Sequence, residues 1–349
     1  MTPVKCVVWD LDNTLLDGVY LESGGQPPGD RRMLAVLCEL AGRGIVHAVA
    51  TRNPPEAAAY AAGLAGLEFA AAECGWDSKS GALRRIIASL GLAADAVAFV
   101  DDDLYERAEV ARALPEVMVL SPEDMADAAS WPEFSPDVVT GEARRRGEMY
   151  LQRRRRLEEA RQFAGSREEF LRYCRTRMII APAAAPDAAR LHELSVRTHQ
   201  FNSAGESLPE AGFAALIADP GRRVMTVRLA DRFGDDGMVG GCVLDQDRCA
   251  WRVPLLMMSC RALGRGVIEA LLAWLVRAAR RDGAAEVVVP CIVTERNLPL
   301  RLALIAAGFR GGAGGPAAAG GQAVRTDFAR ATAPELPALP AWVAAPGER

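Results

Sequence analysis

The run Val4, Lys5, Cys6, Val7, Val8 and Trp9, followed at once by Asp10, Leu11, Asp12, Asn13 and Thr14, constrains this chain more than any other segment. Apart from Lys5 the run is apolar and mostly β-prone, without the polar alternation of a half-exposed strand, so it reads as a strand buried on both faces. Such strands belong to parallel sheets covered by helices on both sides. Similar short apolar runs at residues 45–50 and 96–100 alternate with helical patterns at residues 32–43 and 79–90, which predicts βαβ units. In an open α/β sheet ligands bind outside the carboxyl ends of the strands, and Asp10 and Asp12 fall at such an end.

A length of 349 residues is enough for two domains at about 150 residues each. The first is expected over residues 1–122. Residues 123–177 read as a helical connector rich in Arg and Glu. Its arginines, Arg144 to Arg146 and Arg153 to Arg156, form either a docking surface for an acidic partner or a solvated helix face paired with Glu148, Glu158 and Glu159. Residues 178–312 carry strand patterns at 178–181, 224–229, 238–245, 249–258 and 286–290, with helices at 188–198, 266–279 and 298–307. Strands in a run followed by helices flanking a last strand predict α+β. From residue 313 to 349 the Gly, Ala and Pro content reads as a flexible tail.

With 41 Lys plus Arg against 45 Asp plus Glu, the chain has no domain-wide basic field to hold a nucleic-acid backbone. The eight cysteines are scattered without CxxC pairs and read as reduced thiols of a cytoplasmic protein, not as a disulfide framework or a zinc site. No basic-then-apolar leader opens the sequence. No apolar run reaches the roughly 18 residues of a membrane span, so no membrane association is expected.

Asp10, Asp12 and Thr14 match the DxDxT signature of the haloacid dehalogenase superfamily, and three further pieces follow in the order that superfamily requires. Thr51 follows an apolar strand, Lys79 opens a helix, and Asp101 and Asp102 follow another strand. Asp10 is expected to attack phosphorus, and Asp12 to act as general acid and then base. Thr14, Thr51, Arg52 and Lys79 are the expected phosphate contacts, Lys79 meeting the charge that shifts in the transition state. Asp10, Asp12, Asp101 and Asp102 supply hard oxygens for Mg²⁺. The spacing leaves room for no large cap, so the site is expected to be open.

The N-terminal run through Leu15, together with Gly75-Trp-Asp-Ser-Lys-Ser80 and Phe99-Val-Asp-Asp102, resembles the FkbH-like branch of that superfamily. So do Arg197-Thr-His-Gln-Phe-Asn202, Asp231-Arg-Phe-Gly-Asp235, Met258-Ser-Cys-Arg-Ala-Leu-Gly-Arg-Gly-Val267, Asn297 and Gly308-Phe309. The resemblance implies a cap-free Rossmannoid phosphatase domain followed by a GNAT-like acyltransferase domain. It also implies a function: taking 1,3-bisphosphoglycerate, removing phosphate, and loading a glyceryl unit as a thioester on an acyl carrier protein for polyketide extender units of the methoxymalonyl type.

Within the second domain, Arg261, Gly264 and Gly266 fit a loop that brings backbone N–H groups to a pantetheine phosphate at a helix N-terminus. The alternative is a plain glycine turn. Cys260, beside Arg261 and that helix, is the expected acyl-carrying thiol, with Cys74 and Cys6 as the other candidates. His199 is a candidate base, and Gln200, Asn202 and Asn297 are candidate substrate contacts, though Asn297 also reads as a helix cap. Two other functions compete: a plain Mg²⁺-dependent phosphatase of a small metabolite with a non-catalytic second domain, and a non-catalytic docking module for a carrier protein. The complete set Asp10, Asp12, Thr51, Lys79 and Asp101 argues against the docking module.

Overall fold

A computed structural model describes residues 3–136, 139–198, 200–247, 249–312, 325–333 and 335–347. The chain divides into two compact units, Met1–Arg161 and Gln162–Arg349.

The first unit alternates strand and helix: β1 (Cys6–Trp9), α1 (Arg31–Gly42), β2 (Val46–Thr51), α2 (Pro55–Ala65), β3 (Ala71–Cys74), α3 (Lys79–Leu90), β4 (Val97–Val100), α4 (Leu104–Ala113) and β5 (Met118–Leu120). Helices α5 (Pro122–Ala128), α6 (Gly141–Arg144) and α7 (Arg146–Gln162) follow. The five strands form a sheet in the order β3-β2-β1-β4-β5 with every pairing parallel. Side chains alternate across β1. Val7 and Trp9 join one buried cluster with Leu37, Leu40 and Met125, while Cys6 and Val8 join another with Leu83, Ile86, Phe99 and Tyr150. Burial on both faces is why β1 is written as an unbroken apolar run. No cap is inserted after β1: the loop there closes on itself through a bridge between Leu16 and Gly29.

The expected connector is not separate. Met125, Ala128 and Phe134 are core residues of the first unit, and α7 is fastened to it by its arginines. Arg146 donates to the Gly44 carbonyl at 2.6 Å, Arg153 to Leu90 at 2.6 Å and Arg154 to Phe69 at 3.3 Å. These guanidiniums satisfy carbonyls left over at loops and helix ends, a use of charge that sequence pairing with Glu148 or Glu158 does not reveal. Exposed pairs of that kind also form, Arg145 with Glu148 at 3.3 Å and Arg154 with Glu158 at 3.8 Å.

The second unit contains α8 (Arg167–Tyr173), β6 (Arg177–Pro182), α9 (Ala188–Arg197), α10 (Glu210–Ala218), β7 (Arg222–Asp231), β8 (Gly234–Gln246), β9 (Ala250–Met258), α11 (Val267–Arg281), β10 (Glu286–Ile292), α12 (Leu298–Ala306), β11 (Arg310–Gly311), β12 (Arg325–Ala331) and β13 (Val343–Ala344). Its eight-stranded sheet runs β11-β12-β10-β9-β8-β7-β6-β13. The pairings are antiparallel except β9 with β10 and β6 with β13. Helices α11 and α12 cover one face through Leu271, Leu275, Leu300 and Leu304. Leu191, Leu194 and Phe213 of α9 and α10 pack on the other. An α/β unit with a parallel sheet and no large cap, followed by an α+β unit, is the expected fold class.

The expected tail needs correction. Arg325–Ala331 is a full strand, paired antiparallel to β10 from Glu286↔Ala331 to Ile292↔Arg325. Its sequence alternates charge with small residues around Phe328, which is buried. The low-complexity stretch before it hides a strand whose stability comes from the neighbour it pairs with.

Candidate functional site

Parallel strands in register end together, and this brings the expected residues to one place. Trp9 pairs with Val49 on one side and Val100 on the other, so the next residues along β1 and β4 are Asp10 and Asp101. The Asp10 amide donates to the Val100 carbonyl at 2.9 Å. Lys79 is the first residue of α3, whose N-cap is Ser78. A cation is unfavourable at the positive end of a helix, so its position there needs carboxylates nearby. They are present. Lys79 Nζ lies 2.5 Å from Asp10 Oδ1, 3.0 Å from Asp101 Oδ2 and 3.0 Å from Glu106 Oε2, and donates to the Ala50 carbonyl at 2.9 Å.

Ligand oxygens of Asp10, Asp101 and Asp102 all lie within 4.8 Å of one another. Three carboxylates so close, two of them buried, are the donor set of a hard divalent cation such as Mg²⁺, and the residues fit one. The electrostatics agree. Burial raises Asp10 to about 7, with Lys79 opposing and Asp101 adding to the rise. Burial likewise raises Asp101 to about 6. On Lys79 burial acts downward, and Asp10, Asp101 and Glu106 outweigh it, so the ammonium is held above its usual range. Protein groups alone leave this cluster costly to ionise fully.

Asp12, expected as a further metal ligand, stands apart from the three-carboxylate cluster. Its Oδ1 accepts the Tyr20 amide at 2.9 Å, and the next residue, Asn13, takes φ 50°. It keeps its position beside Asp10 in sequence and is half-buried. Thr14 is fully buried, and its hydroxyl has no hydrogen-bond partner among the described residues. Thr51 Oγ1 accepts from the Asn53 amide at 3.2 Å and Asn53 Nδ2 at 3.1 Å. Arg52 pairs with Glu106 and lies 5.9 Å from the ring of Trp76.

Sequence reasoning missed Glu106, Asn13, Asn53 and Trp76. Glu106 lies in the first turn of α4, where an acidic residue reads as ordinary helix-dipole preference. The Asn13 side chain hydrogen-bonds Asp102. Its signal was the non-glycine residue in a tight turn, since Asn tolerates left-handed backbone.

In the second unit the loop before α11 has the expected backbone: Gly264 and Gly266 adopt φ 74° and 75°, open to glycine at little cost. Arg261 is buried, with Nε 3.3 Å from the Ser259 hydroxyl. Arg265 is clamped between Asp231, at 2.8 Å, and Asp236. Cys260 is half-buried and opens a short 3-10 turn, Cys260–Ala262. A cavity of about 200 Å³ is lined by Phe201, Met258, Ala262, Gly264 and Ile268 among others, and Cys260 is not one of its lining residues.

Two expected substrate contacts are spent elsewhere. Asn202 Oδ1 accepts the Ala204 amide at 3.0 Å and its Nδ2 donates to Glu206 at 3.2 Å. Asn297 is fully buried; its Nδ2 donates to the Ile292 carbonyl at 2.6 Å and its Oδ1 accepts the Thr294 amide at 3.1 Å. Both amides satisfy loop backbone that would otherwise be orphaned, and neither makes a cap bond to α12. Gln200 is half-buried in a turn, and His199 lies outside the described residues. All eight cysteines are free thiols. Among the described residues no helix is long and apolar enough to cross a membrane.

No family profile matches the chain, and no curated protein matches it. Among solved structures it is similar to the N-terminal part of a Bacteroides fragilis protein that contains a phosphatase domain complexed with Mg, at 28% identity and a TM-score of 0.32; the match covers 38% of this chain and 39% of that one. It is also similar to a protein of Desulfovibrio desulfuricans assigned to the GNAT family of acetyltransferases, at 17% identity and a TM-score of 0.37, covering 45% of this chain and 99% of that one. An acetyltransferase of the GNAT family from Streptococcus pneumoniae is similar at 14% identity and a TM-score of 0.35, covering 44% of this chain and 99% of that one.

Proposed function

We propose that the first unit removes a phosphoryl group at Asp10 and that the second transfers an acyl group. The observation that carries the phosphoryl reading is the convergence of Lys79 Nζ on Asp10 and Asp101, with Asp102 completing a carboxylate cluster. An Asp10 oxygen bonds to phosphorus as the ester oxygen leaves with the proton of Asp12. Water then attacks the aspartyl phosphate, giving its proton to Asp12 and releasing phosphate with Asp10 restored. A divalent cation held by Asp10, Asp101 and Asp102 would offset the negative charge that gathers there. Lys79 pairs with the phosphoryl oxygens as charge shifts.

The fuller reading is a glyceryl transferase and phosphatase that takes 1,3-bisphosphoglycerate and loads a glyceryl thioester on an acyl carrier protein, toward polyketide extender units. The sequence resemblance across both units supports it, and so does a half-buried thiol, Cys260, just ahead of the glycine loop of α11. In this reading the Cys260 thiolate attacks the acyl carbonyl of 1,3-bisphosphoglycerate and the acyl phosphate leaves as inorganic phosphate, Asp10 removes the remaining phosphate ester through its aspartyl phosphate, and the pantetheine thiol, giving up its proton, takes the glyceryl group and releases the Cys260 thiolate.

The test is the intact mass of a phosphopantetheinylated carrier protein after incubation with the full chain, Mg²⁺ and 1,3-bisphosphoglycerate. An added glyceryl or phosphoglyceryl unit is the expected result. Free phosphate with an unmodified carrier protein leaves the plain phosphatase, the reading favoured by the internal use of Asn202 and Asn297.

A further inference from the structure

We propose that the amino end of the first unit's sheet holds a separate ligand site, in which His47 donates a hydrogen bond from Nε2 to an uncharged small molecule carrying one acceptor oxygen on an apolar body. His47 is the second residue of β2, and Thr51 is the last, so this site lies at the opposite end of the strand from the carboxylate cluster. The inference is independent of the chemistry at Asp10. It starts from the pairing of Trp9 with His47. An indole N–H can only donate, and that of Trp9 meets His47 Nδ1 at 3.0 Å. Nδ1 therefore offers a lone pair, and the proton of the neutral ring sits on Nε2. His47 is 4% exposed, and Nε2 has no hydrogen-bond partner among the described residues. A buried donor in that state costs stability, and a group that accepts from it recovers the cost.

His47 stands in the wall of a cavity of about 300 Å³, a volume at the small end of ligand pockets. Trp9 is not among the lining residues. The edge of the imidazole that reaches the cavity is therefore the one turned away from Nδ1, and that edge carries Nε2. Ile45, Leu67, Ala70 and Leu151 supply apolar wall around it. Apolar wall with one directed donor is the arrangement that orients a small ligand by a single oxygen. The charged residues of the lining, Glu68, Arg144 and Glu148, are all exposed. Two carboxylates against one guanidinium give an anion no net attraction, and a cation finds no acceptor on His47. The occupant that fits is a neutral ketone, aldehyde or amide.

The experiment uses two near-isosteric probes, cyclohexanone and methylenecyclohexane, which differ by oxygen or CH₂ at one position. The full chain is labelled with ¹⁵N-histidine, and its three imidazoles are followed by NMR. His47 is recognised as the one that stays neutral near pH 5, because burial lowers it to about 3. Cyclohexanone is expected to move the His47 Nε2–H resonance and to raise Tm, while methylenecyclohexane leaves that resonance in place. The affinity of the ketone relative to the alkene should fall about tenfold in His47→Leu, the scale of one hydrogen bond to a buried donor. A resonance that neither probe moves overturns the proposal, whether because nothing enters or because ordered water already holds the donor. Equal shifts from both probes, or an affinity ratio unchanged in His47→Leu, also overturn it, since the cavity then takes apolar bodies without regard to oxygen. The NMR comparison needs only the unmodified chain, so it decides the matter without the variant.

Discussion

Lys79 Nζ sits 2.5 Å from Asp10 Oδ1, joining the first residue of α3 to the first residue after β1 across 69 positions of sequence. The pair is buried, and each group is costly without the other. It fixes what the chain can do at that sheet edge and what happens when either side chain is changed.

Asp10→Asn should reduce phosphate release by more than about a thousandfold, because an amide is nearly isosteric but cannot attack phosphorus. Circular dichroism should show the native fold. Turnover near that of the unmodified chain would remove Asp10 as nucleophile.

Lys79→Met leaves Asp10, Asp101 and Glu106 without their shared cation. Loss of one partner of a buried pair costs about 3–5 kcal/mol. Urea unfolding should show a loss on this scale, and millimolar Mg²⁺ should recover part of it if the cluster takes a divalent cation. A loss indifferent to Mg²⁺ contradicts the metal assignment.

His47 gives a pH signature of the fold. Burial lowers it from the usual 6.5 to about 3, and its Nδ1 accepts the Trp9 indole N–H at 3.0 Å. The folded state keeps it neutral while the unfolded chain protonates it, so its contribution is fully present above pH 6.5. It declines as pH falls and levels off once the folded site itself protonates, near pH 3. The loss by pH 5 is about 2 kcal/mol. His47→Gln should flatten the stability–pH curve of the full chain over that window, and identical slopes for the two proteins would contradict the neutral buried imidazole.

Cys260→Ala should abolish any covalent acyl adduct and carrier-protein loading. Asp10→Asn should instead accumulate an adduct heavier by one phosphate. Mass spectrometry separates the two. An unchanged adduct on Cys260→Ala shifts the acyl role to another thiol, Cys74 first, and no adduct on either variant favours direct transfer to pantetheine.

Asn297→Ala should cost about 2 kcal/mol, since its amide holds the Ile292 carbonyl and Thr294 amide in a buried loop. Thermal unfolding measures it. A changed KM with unchanged stability would return Asn297 to the substrate contacts.

What the sequence determined by itself is the carboxylate-bearing edge of the first unit's sheet. A strand buried on both faces must be apolar at every position, so β1 announces itself, and the residue after it lies at the sheet's carboxyl end. Lys79 was legible for a related reason, as a cation opening a helix after Gly75-Trp-Asp-Ser78. Helix α11 was equally plain from its apolar period. The tertiary structure decided what depends on a distant neighbour. Strands β3, β5 and β12 are short or mixed in composition, and pairing rather than pattern makes them strands. Asp12 and Asp102 are both carboxylates beside apolar strands, but only the fold shows that Asp102 joins the cluster while Asp12 meets Tyr20. Glu106 looks like routine helix charge until Lys79 and Arg52, 27 and 54 positions earlier in the sequence, are brought to its two oxygens. Asn202 and Asn297 look like recognition residues until the loop amides and carbonyls that need them come into reach. Local sequence records which residues are apolar or charged, whereas the partner of a buried charge or amide is fixed only by the packing of segments far apart in the chain.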